Sequence, residues 1–496
     1  MSRALVHRLV LLPALAGFNP MSEAAGQAAR IERVVHGLRP RVEIVGRPAV
    51  RWSLGERMAH YKIPGVSIAV IEGGRIAWAR GFGLKEAGTT DSVTPETLFQ
   101  AASISKPVTA TAMLRLVEQG KLSLDENVNT DLKSWKLPDN QFTAKEKVTL
   151  RRIVSHSAGL TVHGFPGYKS TDPLPSVVQV LAGEKPANTP PVLVDTVPGE
   201  RWQYSGGGTT IMQLVLMDVT GEPFPTLMQR LVLRPVGMTR STYQQPLPES
   251  RRGEAASAHN AAGEVIEGNW HVYPEMAAAG LWTTPTDLAK WALAIASARA
   301  GRSASILSQR LATEMLTPQK PPTGLGPFLQ GRGQGFRFGH GGDNAGFKAE
   351  VWCLPEAGLG AAVMVNGDGG SGLNQEILYA IAAEYGWPDY GPKQVKPVPL
   401  DTMVLNRIAG RYTLDYEKKN FSLDVTRAAS GLRGRVVFQP DGEELLAVSA
   451  SAFVGAESGF EYEFTRDGQG TATGVTVRLF GLLTVQGTRD GKTVRR

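Results

Sequence analysis

Hydrophobic and polar positions follow two periods along this chain, and the change of period marks its architecture. Residues 66–71 (VSIAVI) form a short apolar run that reads as a buried strand. Glu72, Gly73, Gly74 and Arg75 make a hairpin turn, and residues 76–80 return as its partner. Residues 108–117 then switch to helical spacing, with good helix formers throughout. A second helix is expected over residues 209–219, with Ile211, Leu214, Val215 and Val219 apolar. A third begins near Thr284 or Thr286 and runs through Leu288, Trp291 and Ile295. Residues 347–353 and 360–366 read as an antiparallel pair joined across Pro355 to Gly358, and residues 373–384 as a last amphipathic helix. The proline-rich stretch 387–399 ends this pattern. Beyond it, seven short alternating strands are expected, at 410–414, 421–425, 432–438, 444–448, 460–464, 475–479 and 483–488. The expected fold class is α+β, an antiparallel sheet flanked by helices, followed by a small all-β barrel or curved sheet. The expected boundaries are 25–390 for the first domain, 391–402 for the linker and 403–496 for the β domain.

A length of 496 residues favours more than one core. Apolar residues make up 42% and charged residues 20%, a globular balance. The net charge of +7 is dispersed, with no dense basic stripe, so a nucleic-acid partner is not implied. The single Cys353 cannot form an intramolecular disulfide, and the histidines lack metal-ligand spacing, so no metal or cofactor is expected. Arg3, His7 and Arg8 precede the apolar residues 9–18, and Ser22 and Ala24 supply small residues for cleavage. Residues 1–24 therefore read as a short secretory signal, implying a periplasmic or secreted protein. That run is too short to span a bilayer, and no later stretch reads as an integral membrane segment.

Candidate chemistry sits first at Ser103 and Lys106, three residues apart where a loop enters a helix. At that spacing the two side chains share a helical face, and a serine nucleophile needs a neighbour to take its proton. Ser105 is an alternative by spacing alone, and a serine in such a place can also be simply a helix cap. Tyr204 stands at a loop–helix junction beside Ser205, Gly206, Gly207 and Gly208. A nearby lysine ammonium would stabilise its phenolate and let it act as a base. His340, Gly341 and Gly342 read as lying at a sheet edge, where glycines leave room for a substrate beside the strand. A backbone N–H just beyond Gly342 would help form an oxyanion hole. His156 reads better as fixing a local turn than as an acid or base, and the proline-rich loop at 164–198 is expected to shape a cleft. The Gly-x-Ser-x-Gly pattern of an α/β-hydrolase elbow is absent around Ser103.

The ordered trio Ser103-x-x-Lys106, Tyr204-Ser205-Gly206 and His340-Gly341-Gly342 resembles the serine β-lactamase and penicillin-binding-protein family. The branch it looks most like holds class C β-lactamases, D-aminopeptidases and related esterases. The resemblance implies a five-stranded antiparallel sheet with helices on both sides, a helical lobe, and a site between them. By that likeness Ser103 would be the nucleophile, Lys106 its activator, and Tyr204 the partner base and later acid. The N–H groups of Ser103 and Asp343 would form the oxyanion hole, and His340, Gly342 and Gly206 would contact substrate. Two departures stand out. Gly206 replaces an asparagine, and His340 replaces a lysine that helps hold a substrate carboxylate. Both weaken the expectation of β-lactam hydrolysis. The expected function is a serine hydrolase that cleaves a peptide or amide bond through an acyl-enzyme on Ser103. A carboxylesterase is the alternative, with a β-lactamase or a weakly catalytic binding protein ranked lower.

Overall fold

The computed structural model describes residues 20–416, 419–429, 431–436, 439–479 and 483–491. Its central sheet has six strands, every neighbouring pair antiparallel, in the spatial order Arg75–Gly83, Gly65–Glu72, Leu359–Val365, Phe347–Leu354, Arg337–Asn344, Phe328–Gln330. The expected hairpin turns at Gly73 and Gly74, both at positive φ, which suits the right-handed twist of the strands they join. The sixth strand departs from the five that the resemblance implied. It pairs only with Arg337 to Gly339, so residues 340–344 have a neighbour on one side alone.

Both faces of this sheet are covered, which is why its inner strands read as continuous apolar runs rather than alternating ones. Helices Pro20–Val35 and Gly370–Tyr385 bury Val34, Leu373, Ile377 and Ile381 against one face. Helix Pro285–Arg299 covers the other, with Ala289 packed on Ala69 and Ile71. The same side carries the helical lobe, built around Ser105–Glu118 and Gly206–Thr220. The apolar residues 9–18 lie outside the described residues, and residues 20–24 already belong to the first helix. Among the described residues no helix is long and apolar enough to cross a membrane.

The C-terminal segment is a closed antiparallel barrel of eight strands, with Gly410–Tyr416 pairing both Lys419–Ala428 and Leu483–Arg489. The additional strand is Ala452–Gly455. Tyr412, Phe453, Tyr462 and Phe464 fill the interior, and a short helix, Thr402–Ile408, adds Leu405 and Ile408 to that core. The linker is more ordered than its prolines implied. Lys393–Val395 pairs in parallel with Val42–Ile44, and both strands bury valines against Leu446 and Val454 of the barrel.

Candidate active site

Ser103 lies in a single 3₁₀ turn, Ala102–Ile104, that leads directly into helix Ser105–Glu118. Ala102 has φ of +48°, a left-handed conformation that a residue with a side chain rarely adopts. The surroundings hold it there. The Ser105 hydroxyl donates to the Ala102 carbonyl at 2.5 Å and accepts from the Leu281 N–H at 3.0 Å. The two serines differ in their surroundings. Ser105 is fully buried and braces the turn, while Ser103 faces the cleft.

Lys106 Nζ donates to Ser103 Oγ at 2.9 Å and to the Ala278 carbonyl at 2.9 Å. Ala278 belongs to the short helix Met276–Ala279, so the lysine is held by a segment 172 residues away. No carboxylate answers its charge at these contacts, and burial lowers its pKa from 10.5 to about 7. Tyr204 is hydrogen-bonded to Ser103, and its ring centroid lies 5.0 Å from Lys106 Nζ. Burial pushes the phenol well above its ordinary value of 10, although the Ser103 bond pulls the other way. These directions oppose the ammonium–phenolate pair expected from sequence. Burial disfavours both charges, the Lys106 ammonium and the Tyr204 phenolate.

The Tyr204 junction is built by His156 and Ser205. The Ser205 hydroxyl caps helix Gly206–Thr220 by accepting from the Gly208 N–H at 2.9 Å. His156 Nδ1 accepts from the Ser205 N–H at 3.2 Å, and its ring lies 4.3 Å from that of Tyr204. Burial keeps His156 far below its ordinary pKa, so it is a neutral prop, and its ring bonds Ser205, 49 residues on, rather than the local turn expected of it. His163 Nδ1 donates to the Tyr204 carbonyl. Gly206 is closely packed. A Cβ there would meet Phe165 at 3.0 Å and the His163 carbonyl at 3.1 Å, so other atoms already fill the space.

His340 and Gly342 lie on the half-paired part of strand Arg337–Asn344. A Cβ on Gly342 would sit 2.1 Å from the Ala101 carbonyl oxygen, so only glycine lets this strand press against the nucleophile's turn. Asp343 follows at the cleft wall, its carboxylate 2.8 Å from Lys348 Nζ. His340 is buried between Phe328 and Tyr204, with ring centroids at 4.6 and 6.2 Å. Burial, with Lys106 nearby, lowers its pKa to about 3.

Ser103, Tyr204, His340 and Gly342 share one cavity of about 950 Å³. Its far wall departs from expectation. The sixth strand, the linker residue Tyr390, and Gly459, Glu461 and Arg478 of the barrel line it, rather than the loop at 164–198. Among the described residues there is no group of three His, Cys, Asp or Glu side chains placed to hold a metal.

A folded unit with a serine and a desolvated lysine between an antiparallel sheet and a helical lobe defines a serine-hydrolase-like class. The chain belongs to the Beta-lactamase family, whose model matches residues 53–385. Among curated relatives it is 24% identical over 230 residues to "Protein flp" of Staphylococcus aureus (strain N315), covering 45% of this chain and 42% of that protein. The chain thus spans less than half the length of that relative. It is 26% identical over 355 residues to "Unguisins hydrolase ungD" of Aspergillus violaceofuscus, covering 63% and 59%. Solved structures share the fold. The octameric penicillin-binding protein homologue from Pyrococcus abyssi aligns with a TM-score of 0.58 at 24% identity, over 87% of this chain and 98% of that one. D-amino acid amidase from Ochrobactrum anthropi SV3 aligns with a TM-score of 0.54 at 20% identity, over 72% and 99%.

Proposed function

We propose that this protein is a serine hydrolase that cleaves an amide or peptide bond of a small substrate through an acyl-enzyme on Ser103. The observation that carries this reading is the 2.9 Å contact between Ser103 Oγ and a lysine whose pKa burial lowers to about 7. A lysine that loses its proton near neutrality is a competent general base, because its neutral form is populated while its basicity stays matched to pH 7. Ser103 Oγ attacks the carbonyl carbon, and its proton passes to Lys106 Nζ. The Ser103 and Asp343 N–H groups receive the oxyanion. Tyr204, a phenol in the free enzyme, protonates the leaving nitrogen as the C–N bond breaks, and recovers a proton from Lys106. Water then attacks the ester carbonyl, its proton passes to the neutral Lys106 Nζ and on to Ser103 Oγ as the C–O bond breaks, and the acid leaves. One water is consumed for one amide cleaved.

The absence of a lysine at position 340 argues against a β-lactamase, since a fixed cation is the usual anchor for a substrate carboxylate. The name of one similar protein, a D-amino acid amidase, supports the amide reading. An esterase is the second reading, because the same acyl-enzyme chemistry serves esters and their leaving groups need less help from Tyr204. The division into a catalytic domain at 25–390 and a barrel at 403–496, and export by residues 1–24, belong to the same proposal. A side-by-side kcat/KM panel of D- and L-amino acid amides, short peptides, p-nitrophenyl esters and a cephalosporin tests the assignment. Amides should lead the panel. Turnover confined to short-chain esters would install the esterase reading, and a large preference for the cephalosporin would refute both.

A further inference from the structure

Lys348 stands on strand Phe347–Leu354, directly opposite Asp343 in the antiparallel register, so the two side chains share one face of the sheet. Its side chain is only 7% exposed, which is rare for a lysine and costs free energy unless the charge is paired. Three oxygens surround Nζ. The Asp343 carboxylate lies at 2.8 Å, and the ammonium donates to the Asp368 carboxylate at 2.9 Å and to the Asn344 carbonyl at 3.2 Å. The stem is confined by the start of helix Gly370–Tyr385, where a Cβ on Gly370 would meet Lys348 Cβ and Cγ at 3.2 Å. Asp368 in turn accepts from the Gly346 N–H at 2.8 Å, and its own N–H donates to the His259 carbonyl. One buried ammonium thus ties the turn at residues 344–347 to a point outside the strand pair.

This fastening falls where the sheet gives least support, since residues 340–344 have a strand neighbour on one side alone. The Asn344 side-chain amide donates to Gln100 and to the Ala279 carbonyl, and the Ala345 N–H donates to the Tyr273 hydroxyl. Those contacts hold residues 344 and 345, and the contact with Lys348 holds Asp343 itself. The Asp343 carboxylate is a second reason for a cation here. It is 73% exposed, on the wall of the cavity that holds Ser103. A negative charge beside a forming oxyanion opposes it, most of all once substrate has displaced water.

We propose that Lys348 is a positioning residue of the oxyanion hole: its ammonium fixes the Asp343 N–H on the half-paired edge and offsets the Asp343 charge beside the oxyanion. The inference rests on the hydrolase reading, with Ser103 as nucleophile and the Ser103 and Asp343 N–H groups as donors. Lys348 touches no substrate. It acts through the backbone and the field at Asp343, so its loss should slow the chemical step and leave ground-state binding nearly unchanged.

The test is stopped-flow acylation of the full chain by p-nitrophenyl acetate. It compares the wild type, Lys348→Met, and Lys348→Met combined with either Asp343→Asn or Asp368→Asn. Lys348→Met should lose about tenfold or more in the acylation rate constant, with little change in the half-saturating ester concentration. Adding Asp343→Asn should recover about threefold or more of that loss, because it removes the uncompensated charge, while adding Asp368→Asn should recover none. A merely structural lysine would leave both carboxylates without a partner, and neutralising either would then help alike. Infrared difference spectra of the acyl-enzyme give a second readout. The ester carbonyl band should move to higher frequency in Lys348→Met, because the hydrogen bonds to its oxygen weaken. Lys348→Gln, which retains an N–H donor, carries the same comparison if the methionine variant does not fold. An acylation rate and carbonyl band unchanged in Lys348→Met, or equal rescue by Asp368→Asn and Asp343→Asn, would overturn the proposal. A wild type that forms no acyl-enzyme would overturn the hydrolase reading and this role with it, an outcome distinct from a wild type that acylates no faster than its Lys348 variants.

Discussion

Acylation should follow the protonation of Lys106, and pH is the gentlest way to perturb it. A fall in pKa from 10.5 to about 7 corresponds to roughly 5 kcal/mol of preference for the neutral amine over the ammonium. About half of the molecules then hold a neutral lysine at pH 7, against less than about one in a thousand for an ordinary lysine. The active form is the deprotonated one, so the sign is set. The acylation rate should climb about tenfold per pH unit below the pKa and level off above about pH 7 to 8. Stopped-flow acylation by an activated ester, followed from pH 5 to 9.5, reads this directly. Lys106→Arg should lose about 100-fold or more at every pH, because a guanidinium keeps its proton. A flat profile, or an inflection near 10, would refute the reasoning, since the first excludes the lysine as base and the second excludes its desolvation.

Glu275 is fully buried, with both carboxylate oxygens unpartnered although Tyr168 is near, and burial raises its pKa from 4.5 to about 7. A raised folded pKa contributes most below 4.5 and loses its contribution as pH rises through 7, so the wild type should weaken over that window by roughly 3 kcal/mol. Glu275→Gln cannot ionise and should gain that much on the wild type between pH 4.5 and 8 in urea unfolding; parallel curves would contradict this. Gly342→Ala should keep the fold's circular dichroism but lose acylation by about 100-fold or more, because its Cβ must push the Ala101 carbonyl away from the nucleophile's turn. Near-normal burst amplitude in that variant would show that the contact does not matter. Protein taken from its native cells should begin near residue 25, as Edman sequencing would read; an intact Met1 or Ser2 would rule out cleavage.

The parts of the site that were legible are those with short sequence separation or a marked junction. Ser103 and Lys106 lie one helical turn apart, the glycine run announces the turn at Tyr204, and His340 stands among glycines between strand patterns. What the pattern hid depends on distant segments. The protonation states of Lys106 and Tyr204 are set by burial and by the Ala278 carbonyl, which local spacing does not encode. The packing of Phe165 against Gly206 also joins segments that local spacing does not connect. Phe328–Gln330 and Ala452–Gly455 are too short to carry a period, yet one completes the sheet edge and the other belongs to the closed barrel. The barrel's place on the cavity wall follows from the pairing of Val42–Ile44 with Lys393–Val395, a contact between segments about 350 residues apart along the chain.

The central claim is that Ser103 becomes acylated, and intact-protein mass spectrometry after exposure to a fluorophosphonate or an activated ester tests it most directly. The account predicts one adduct per chain, mapped to the peptide that contains Ser103, formed faster at pH 8 than at pH 6 and lost in Ser103→Ala. An adduct on another residue, or one that persists in Ser103→Ala at the wild-type rate, would contradict it.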